Sequence, residues 1–209
     1  MNIHEIGDID PFVRAVKVKK SAQLEGTWQD IDHLLIYIAR GTCDYHYGED
    51  DVRHMKAGDL IIFPPFMKHS LKKGTNHSIV QYILHFDWYQ TPERSAIAHQ
   101  PLSAFEDAPM LSARETSLGN EVIVVSMPSE AKGKLERLFL DMFAEDNSRE
   151  EGYPLVLKAL MIQILTLVFR CRENQTAEQI SEEGFIQKLL ILRERLRLVG
   201  KAIGQCMGK

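Results

Sequence analysis

Cysteine is scarce in this chain and poorly placed for joint work. The three residues, Cys43, Cys171 and Cys206, are odd in number, far apart and without a CxxC spacing. That argues against a disulfide framework and against cysteine-based metal or redox chemistry, and they read as free thiols in a reducing compartment. An excess of basic charge is also missing. The formal net charge is -4, whereas a nucleic-acid-binding domain usually carries the positive surplus that displaces counterions from phosphate. No glycine-rich phosphate loop is present, and no serine or cysteine stands in a recognisable nucleophile elbow. The first residues, MNIHEIGDIDPF, hold acids where a secretory signal has a basic and then an apolar region, so a cytoplasmic location is expected. The most apolar segment, Leu155 to Phe169, is interrupted by Lys158 and Gln163 and falls short of the roughly 20 residues that cross a bilayer. No membrane partner is expected.

What is present is a chain of 209 residues with 44% hydrophobic content, enough for one large domain or a medium domain with an appendage. Up to about Met127 the pattern is short runs of Val, Ile, Tyr and Phe broken by Gly, Asp, Asn and Pro, the signature of an antiparallel β domain. Strands are predicted at Phe12 to Val18, Leu34 to Arg40, Thr42 to Tyr47, Val52 to Lys56, Asp59 to Phe63, Ser70 to Lys73 and Ile79 to Phe86. A further strand over Glu121 to Ser126 would return to the sheet after a polar loop from Tyr89 to about Asn120. The run Leu34-Leu35-Ile36-Tyr37-Ile38-Ala39 is apolar on both faces, so something must cover its second face.

After Met127 the period changes. Pro128-Ser129-Glu130 opens a helix in which Leu135, Leu138, Phe139, Met142 and Phe143 fall on one stripe. A second helix runs from about Pro154 to Arg172, with Pro154 in its first turn and a capping box expected from Ser148 to Glu151. This helix is apolar around most of its circumference and needs cover on more than one side, from the first helix and sheet or from a second copy of the chain.

The stretch Gly58-Asp59-Leu60-Ile61-Ile62-Phe63-Pro64-Pro65-Phe66-Met67-Lys68-His69 resembles the second cupin signature: glycine, five residues, proline, then histidine five residues later. Phe66 stands where the signature has its second glycine, and Lys73 where it has its closing asparagine. With Tyr37-Ile38-Ala39-Arg40-Gly41 upstream and Ile83-Leu84-His85-Phe86 downstream, residues 10 to 172 resemble the effector-binding, dimerising domain of AraC-type transcriptional regulators. The fold implied is mainly β with C-terminal α: a cupin-like jelly-roll barrel over 1–127 and a two-helix dimerisation appendage over 128–173. A basic amphipathic tail over 174–209 completes the expected organisation. The resemblance also implies a small-molecule effector, sugar-like or carboxylate-bearing, and a homodimer. It points to Arg40, His69, Leu71, Gln81, Ile83 and His85 for ligand binding, and it makes Leu135, Leu138, Phe139, Met142 and Phe143 the dimer contacts. Arg40 has donors apt for hydroxyls or a carboxylate, with a rim salt bridge as the alternative. Strand parity sets Gln81 and His85 on the face opposite Tyr82 and Phe86.

Enzymatic cupins hold a metal through a His-x-His and a glutamate on an early strand plus a later histidine. Here that strand reads Cys43-Asp44-Tyr45-His46-Tyr47-Gly48-Glu49. An Asp44/His46/Glu49 set with His69 is the arrangement a metal-dependent enzyme would need, and ligand type alone does not make such a set converge. The expectation is no metal, no cofactor and no enzymatic activity, with the metal-dependent enzyme as the alternative. AraC-type regulators continue into two helix-turn-helix motifs, which need on the order of 100 residues. The residues after Arg172 are too few for that domain, so DNA contact is expected only through a part absent here. Leu189, Leu192, Leu196, Val199, Ile203 and Cys206 form an apolar heptad seam beside Lys188, Arg193, Arg195, Arg197 and Lys201. This tail reads as a partner-pairing helix, an ordinary surface helix, or a basic DNA-contacting one.

Overall fold

The computed structural model describes residues 8–22, 25–73, 78–97, 99 and 121–176. The tail over 177–209 and the stretch from 100 to 120 lie outside them, so the expected heptad seam and most of the expected long loop do too. Nine strands are formed among the described residues: β1 (Phe12–Ser21), β2 (Gly26–Trp28), β3 (His33–Arg40), β4 (Thr42–Tyr47), β5 (Asp51–Lys56), β6 (Asp59–Phe63), β7 (His69–Lys73), β8 (Ile79–Asp87) and β9 (Ile123–Ser126). Three helices accompany them: a single turn α1 (Pro92–Ser95), then α2 (Ser129–Ser148) and α3 (Tyr153–Thr176). The strands form two antiparallel sheets, ordered β1-β8-β3-β6-β9 and β2-β7-β4-β5. The expected jelly-roll barrel with C-terminal helices is the fold observed. The short β2 has no counterpart among the predicted strands, because three residues with one large side chain carry no alternation to read.

β3 shows why its sequence is apolar throughout. Leu34, Ile36 and Ile38 join Cys43, Tyr45, Met55 and Leu71 of the opposite sheet in a core inside the barrel. Leu35 and Tyr37 point the other way, into a second core with Leu84, Phe86, Leu135, Phe139, Met142, Met161 and Leu165. The cover that the second face of β3 requires is supplied by α2 and α3, and β8 divides its side chains between the two cores in the same way.

Two expectations for the helices are corrected. Leu135, Leu138, Phe139 and Met142 are buried within the chain's own core and Phe143 packs partly buried against it, so the stripe expected to make dimer contacts is occupied by the sheet. Phe139 stacks on Tyr37 at 5.9 Å between ring centroids, which shows how closely it is engaged. The capping box at Ser148 is not formed. Ser148 is the last residue of α2, its hydroxyl donates back to the Glu145 carbonyl at 3.3 Å, and Arg149 ends the helix in the left-handed conformation at φ 47°. α3 is long and apolar enough by length and composition to cross a membrane, but Leu157, Met161, Ile164, Leu165, Val168 and Phe169 commit one of its faces to the core.

The chain divides into two compact units, Met1–Cys171 and Arg172–Lys209. The barrel and the helical residues up to Cys171 belong to the first, so the expected boundary at 127/128 falls within one unit. The turn into β6 requires a glycine: Gly58 has φ +99°, while its amide donates to the Ile38 carbonyl and its carbonyl accepts from the Met127 amide, both at 2.8 Å. Phe66, at the position of the signature's second glycine, adopts φ 64°, a conformation that costs an ordinary residue about 1–2 kcal/mol. It is held there from both sides. Its amide donates to the Asp30 carbonyl at 2.7 Å, and its carbonyl accepts from Gln29 Nε2 at 2.7 Å.

Truncating Phe139 to alanine removes a side chain that joins sheet and helix, and we expect a loss of about 3–5 kcal/mol in a urea titration. His33 supplies a pH dependence. It lies against Phe86 and Trp88 at 5.4 and 5.2 Å between centroids, and burial pulls its pKa down to about 3. The folded imidazole stays neutral while the unfolded one takes a proton near pH 6.5, so this contribution is complete at pH 7 and is lost as pH falls toward 3. By pH 5 the loss is on the order of 2 kcal/mol. The slope of stability against pH between 6.5 and 5 should therefore be shallower in His33→Phe than in the unaltered protein, as read by denaturant midpoints.

Candidate functional site

Between the two sheets lies a cavity of about 240 Å3 lined by Lys17, Lys19, Trp28, Asp30, Leu34, Ile36, Tyr45, His69, Leu71, Gln81, Ile83, His85 and His99. Alternation places these residues: Leu34 and Ile36 on β3, His69 and Leu71 on β7, and Gln81, Ile83 and His85 on β8 all point inward at every second position. Lys17 and Lys19 do the same from β1. Apolar and polar side chains share the lining, a usual composition for a small-molecule site.

Five of the six residues expected at the ligand site line this cavity: His69, Leu71, Gln81, Ile83 and His85. Arg40 does not. It is exposed at the end of β3, where the pairing with β8 shifts register between Ile38 and Arg40, so the position carried over from the family resemblance does not reach the cavity. Lys17, Lys19, Trp28, Asp30, Tyr45 and His99 were not anticipated. Period-two reading of β1 would have set Lys17 and Lys19 on one face, and Asp30 and Asp32 show an i, i+2 spacing. Nothing local marks His99.

Gln81 Nε2 donates to the Tyr45 hydroxyl at 2.7 Å, both side chains buried. His69 is packed flat on Phe63 at 4.4 Å, its Nδ1 is 3.2 Å from the Met67 carbonyl, and burial lowers its pKa, so it serves as a neutral aromatic wall with a polar edge.

Behind His85, His99 and Asp30 of the lining stands a buried ionic network. Asp87, at the end of β8, receives Arg94 through Nε at 3.1 Å and Nη2 at 2.7 Å, and Arg14 pairs with the same carboxylate. Arg94 also donates to the Ile31 carbonyl at 2.7 Å, and Arg14 Nη1 to the Arg94 carbonyl at 2.8 Å. Arg14 sits where β1 and β8 shift register between Val13 and Ala15, a bulge that re-aims its side chain inward. From there its Nε stands 3.1 Å from Asp32 Oδ2.

Asp32 in turn faces two imidazoles. His85 Nδ1 is 3.1 Å from Oδ1 and His99 Nδ1 is 3.5 Å from Oδ2. The rings lie 3.7 Å apart between centroids. On their far edges Lys17 Nζ stands 2.6 Å from His99 Nε2 and 3.4 Å from His85 Nε2. Burial alone would raise the Asp32 carboxyl, but the hydrogen bonds and charge of His85 and His99 outweigh it and hold the group well below the usual carboxylate range. Burial pulls His85 down to about 4 against the pull of Asp32. It also lifts Asp30 to about 6, with the Asp32 charge adding to the rise. Lys17 is lowered by burial and by Lys19 beside it.

Asp30, Asp32, His85 and His99 present ligand-type atoms all within 4.8 Å of one another, and this is the group among the described residues that could hold a metal. The set drawn from the cupin signature is not assembled. On β4 the inward positions are the buried Cys43 and Tyr45, whereas Asp44 and His46 are only partly buried, and Asp44 is engaged by His54 of β5 at 2.7 Å. His69 points inward without them.

A sequence model of the AraC-like ligand-binding domain matches residues 27–165. The chain belongs to this family. Similar solved structures include an apo lysine-to-alanine variant of ToxT from Vibrio cholerae strain SCE256, at 10% identity and TM-score 0.43 over 75% of this chain and 54% of that one. Wild-type ToxT from the same strain with an unsaturated fatty acid bound gives 8% and 0.42 over 74% and 52%. HppE with iron(II) and substrate gives 12% and 0.31 over 34% and 44%. The chain spans about half the length of these ToxT structures. No curated protein matches it. As an AraC-like ligand-binding domain, the chain has its inward-facing residues gathered in the cavity between its two sheets.

The Asp87 network is open to direct test. Replacing Asp87 with alanine leaves two guanidinium groups buried without their shared counter-charge, and breaking such a pair from one side costs about 3–5 kcal/mol. Chemical denaturation should register a loss of that size. An Asp87→Ala midpoint equal to that of the unaltered protein would show that the arginines find other partners.

Proposed function

We propose that this AraC-like domain is the effector-sensing part of a cytoplasmic transcriptional regulator, and that its barrel cavity binds a small polar molecule carrying a carboxylate or sugar-type hydroxyls. The observation that supports this most directly is the lining itself: the apolar Leu34, Ile36, Leu71 and Ile83 together with Lys19, Trp28, His69 and Gln81. Lys19 and Trp28 suit the two ligand classes differently. The ammonium, 5.8 Å from the indole centroid, would pair with a carboxylate, while the indole face would pack on the C–H face of a sugar. Gln81 both donates and accepts, which serves either class. The volume matches a molecule of monosaccharide size.

Dimerisation belongs to the same proposal, through faces other than the buried stripe. Leu155 at 74% exposure, with Val156 and Ile162 on α3 and Leu140 on α2 also exposed, is apolar surface free to pair with a second copy. In this reading neither the barrel nor its helices touches DNA, which is left to a helix-turn-helix domain.

A thermal-shift panel of sugars, polyols and small carboxylic acids tests the proposal. A ligand at 100 times its Kd should add about 2.7 kcal/mol of stability. Gln81→Leu should abolish the shift for either class. Lys19→Gln should weaken an acid at least ten-fold and leave a polyol unchanged, and Trp28→Ala should do the reverse. A panel in which nothing stabilises the protein would count decisively against an effector of either kind.

A further inference from the structure

We propose that His85, His99 and Asp30, oriented by Asp32, form a binding site for a divalent transition-metal ion on the wall of the effector cavity. The site lies on strands other than those of the cupin signature: His85 comes from β8, and Asp30 and Asp32 from the segment leading into β3. Three features of the arrangement carry it. The first is convergence: Asp30, Asp32, His85 and His99 each bring a ligand-type atom to a group within 4.8 Å, and the two histidine Nε2 atoms both lie within 3.4 Å of one point, the Lys17 ammonium. Asp30, Asp32 and His85 are buried and His99 partly so.

The second is orientation. A metal-binding histidine usually gives its remote ring N–H to a carboxylate, which fixes the tautomer and turns the other nitrogen's lone pair toward the ion. Asp32 stands in that relation to His85, whose Nδ1 is 3.1 Å from Oδ1, and it lies 3.5 Å from His99 Nδ1 as an ion-pair contact. With its Nδ1–H given to Asp32, His85 keeps its Nε2 lone pair for a cation, and His99 Nε2 already faces the Lys17 ammonium.

The third is that a cation already stands there. Lys17 Nζ is 2.6 Å from His99 Nε2 and 3.4 Å from His85 Nε2, so the chain's own ammonium occupies the place a metal would take. Its flexible four-carbon stem lets it swing into the cavity when an ion enters. Two imidazole nitrogens and a carboxylate suit zinc, iron, cobalt or nickel, with remaining coordination positions open. Those positions face the cavity, because Asp30, His85 and His99 all line it. A carboxylate or vicinal hydroxyls of the effector would complete the shell. That last step rests on the effector reading above; binding of the ion does not.

Titration of the full chain with Co2+, followed by its visible absorption and by Zn2+ competition, tests the proposal without any effector. The expected result is one equivalent bound. His99→Gln should weaken binding at least ten-fold. Because His99 is the least buried of the four, that variant should keep the fold, checked by circular dichroism. Asp30→Asn should act in the same direction. Lys17→Gln should tighten binding at least ten-fold, a gain that a purely structural hydrogen-bond network would not produce. His54→Gln, which removes the surface pair with Asp44, should leave binding unchanged. No saturable binding in either the unaltered protein or Lys17→Gln would overturn the metal site, as would binding indifferent to His99→Gln. If the metal-free protein is then still stabilised by an acid or polyol, the effector reading stands without the metal. If the metal binds and no effector does, the reverse holds.

Discussion

Asp87 holds two guanidinium groups where water does not reach, and much of the functional end of the barrel hangs from that arrangement. The carboxylate closes β8; Arg14 reaches it from a bulge in β1, and Arg94 from the single turn of α1. Arg94 also binds the Ile31 carbonyl, fixing the segment that carries Asp30 and Asp32. Buried charges are costly to desolvate, so such a cluster contributes less to stability than its contacts suggest. Its contribution is positional. Arg14 extends from Asp87 to Asp32, and Asp32 turns His85 and His99 so that their far edges share one point with Lys17. Without the first pair, the orientation of the last would have no fixed reference.

The cavity and the helices are coupled by the thinness of the wall between them. β3 and β8 place successive residues on opposite faces, so Ile36 touches the cavity while Tyr37 stacks on Phe139 and donates from its hydroxyl to Glu136 at 3.1 Å. Likewise Ile83 and His85 face the cavity between Leu84 and Phe86, which face the helices. A ligand that displaces one inward side chain acts on a backbone whose next side chain is already packed on α2. In a close-packed core such a displacement is passed on as a shift of the packed element, not absorbed by empty space.

How far the sequence discloses this depends on the range of the interactions. The succession of strands, the two-faced character of β3, the stripe of α2 and the shared face of Gln81 and His85 are local patterns that can be read from periodicity; that this face is the inner one follows from the family resemblance, not from the pattern. Arg40 was taken over from the family resemblance, and a register shift between Ile38 and Arg40 leaves it outside the cavity; such bulges have no fixed signature. The ionic network was invisible for a different reason. Arg14 and Asp87, or Asp32 and His85, are brought together only by sheet closure, and no spacing in the chain foretells that Asp32 will face two imidazoles. Phe66 lies between these cases. Its departure from glycine is plain in the sequence, but that its backbone keeps the left-handed form, tied to Asp30 and Gln29, depends on contacts from a distant loop.

The fate of the α2 stripe shows how one pattern serves two opposite readings. Five large apolar groups at helical spacing are equally what a dimer seam and a sheet-packing face require; what decides is whether another surface in the same chain needs cover. Here β3 and β8 expose a complete apolar face away from the cavity, and α2 is its nearest partner in sequence. Burying Leu135, Leu138, Phe139 and Met142 against that face leaves α2 and α3 bound to the barrel on one side, with Leu140, Leu155, Val156 and Ile162 outward. The helices therefore lie between the sheet that walls the cavity and the outer surface, packed on the first and exposed on the second. A sensor of this build needs no separate linkage to report occupancy, because the residues that sense the sheet and those that present an apolar surface share the same two helices.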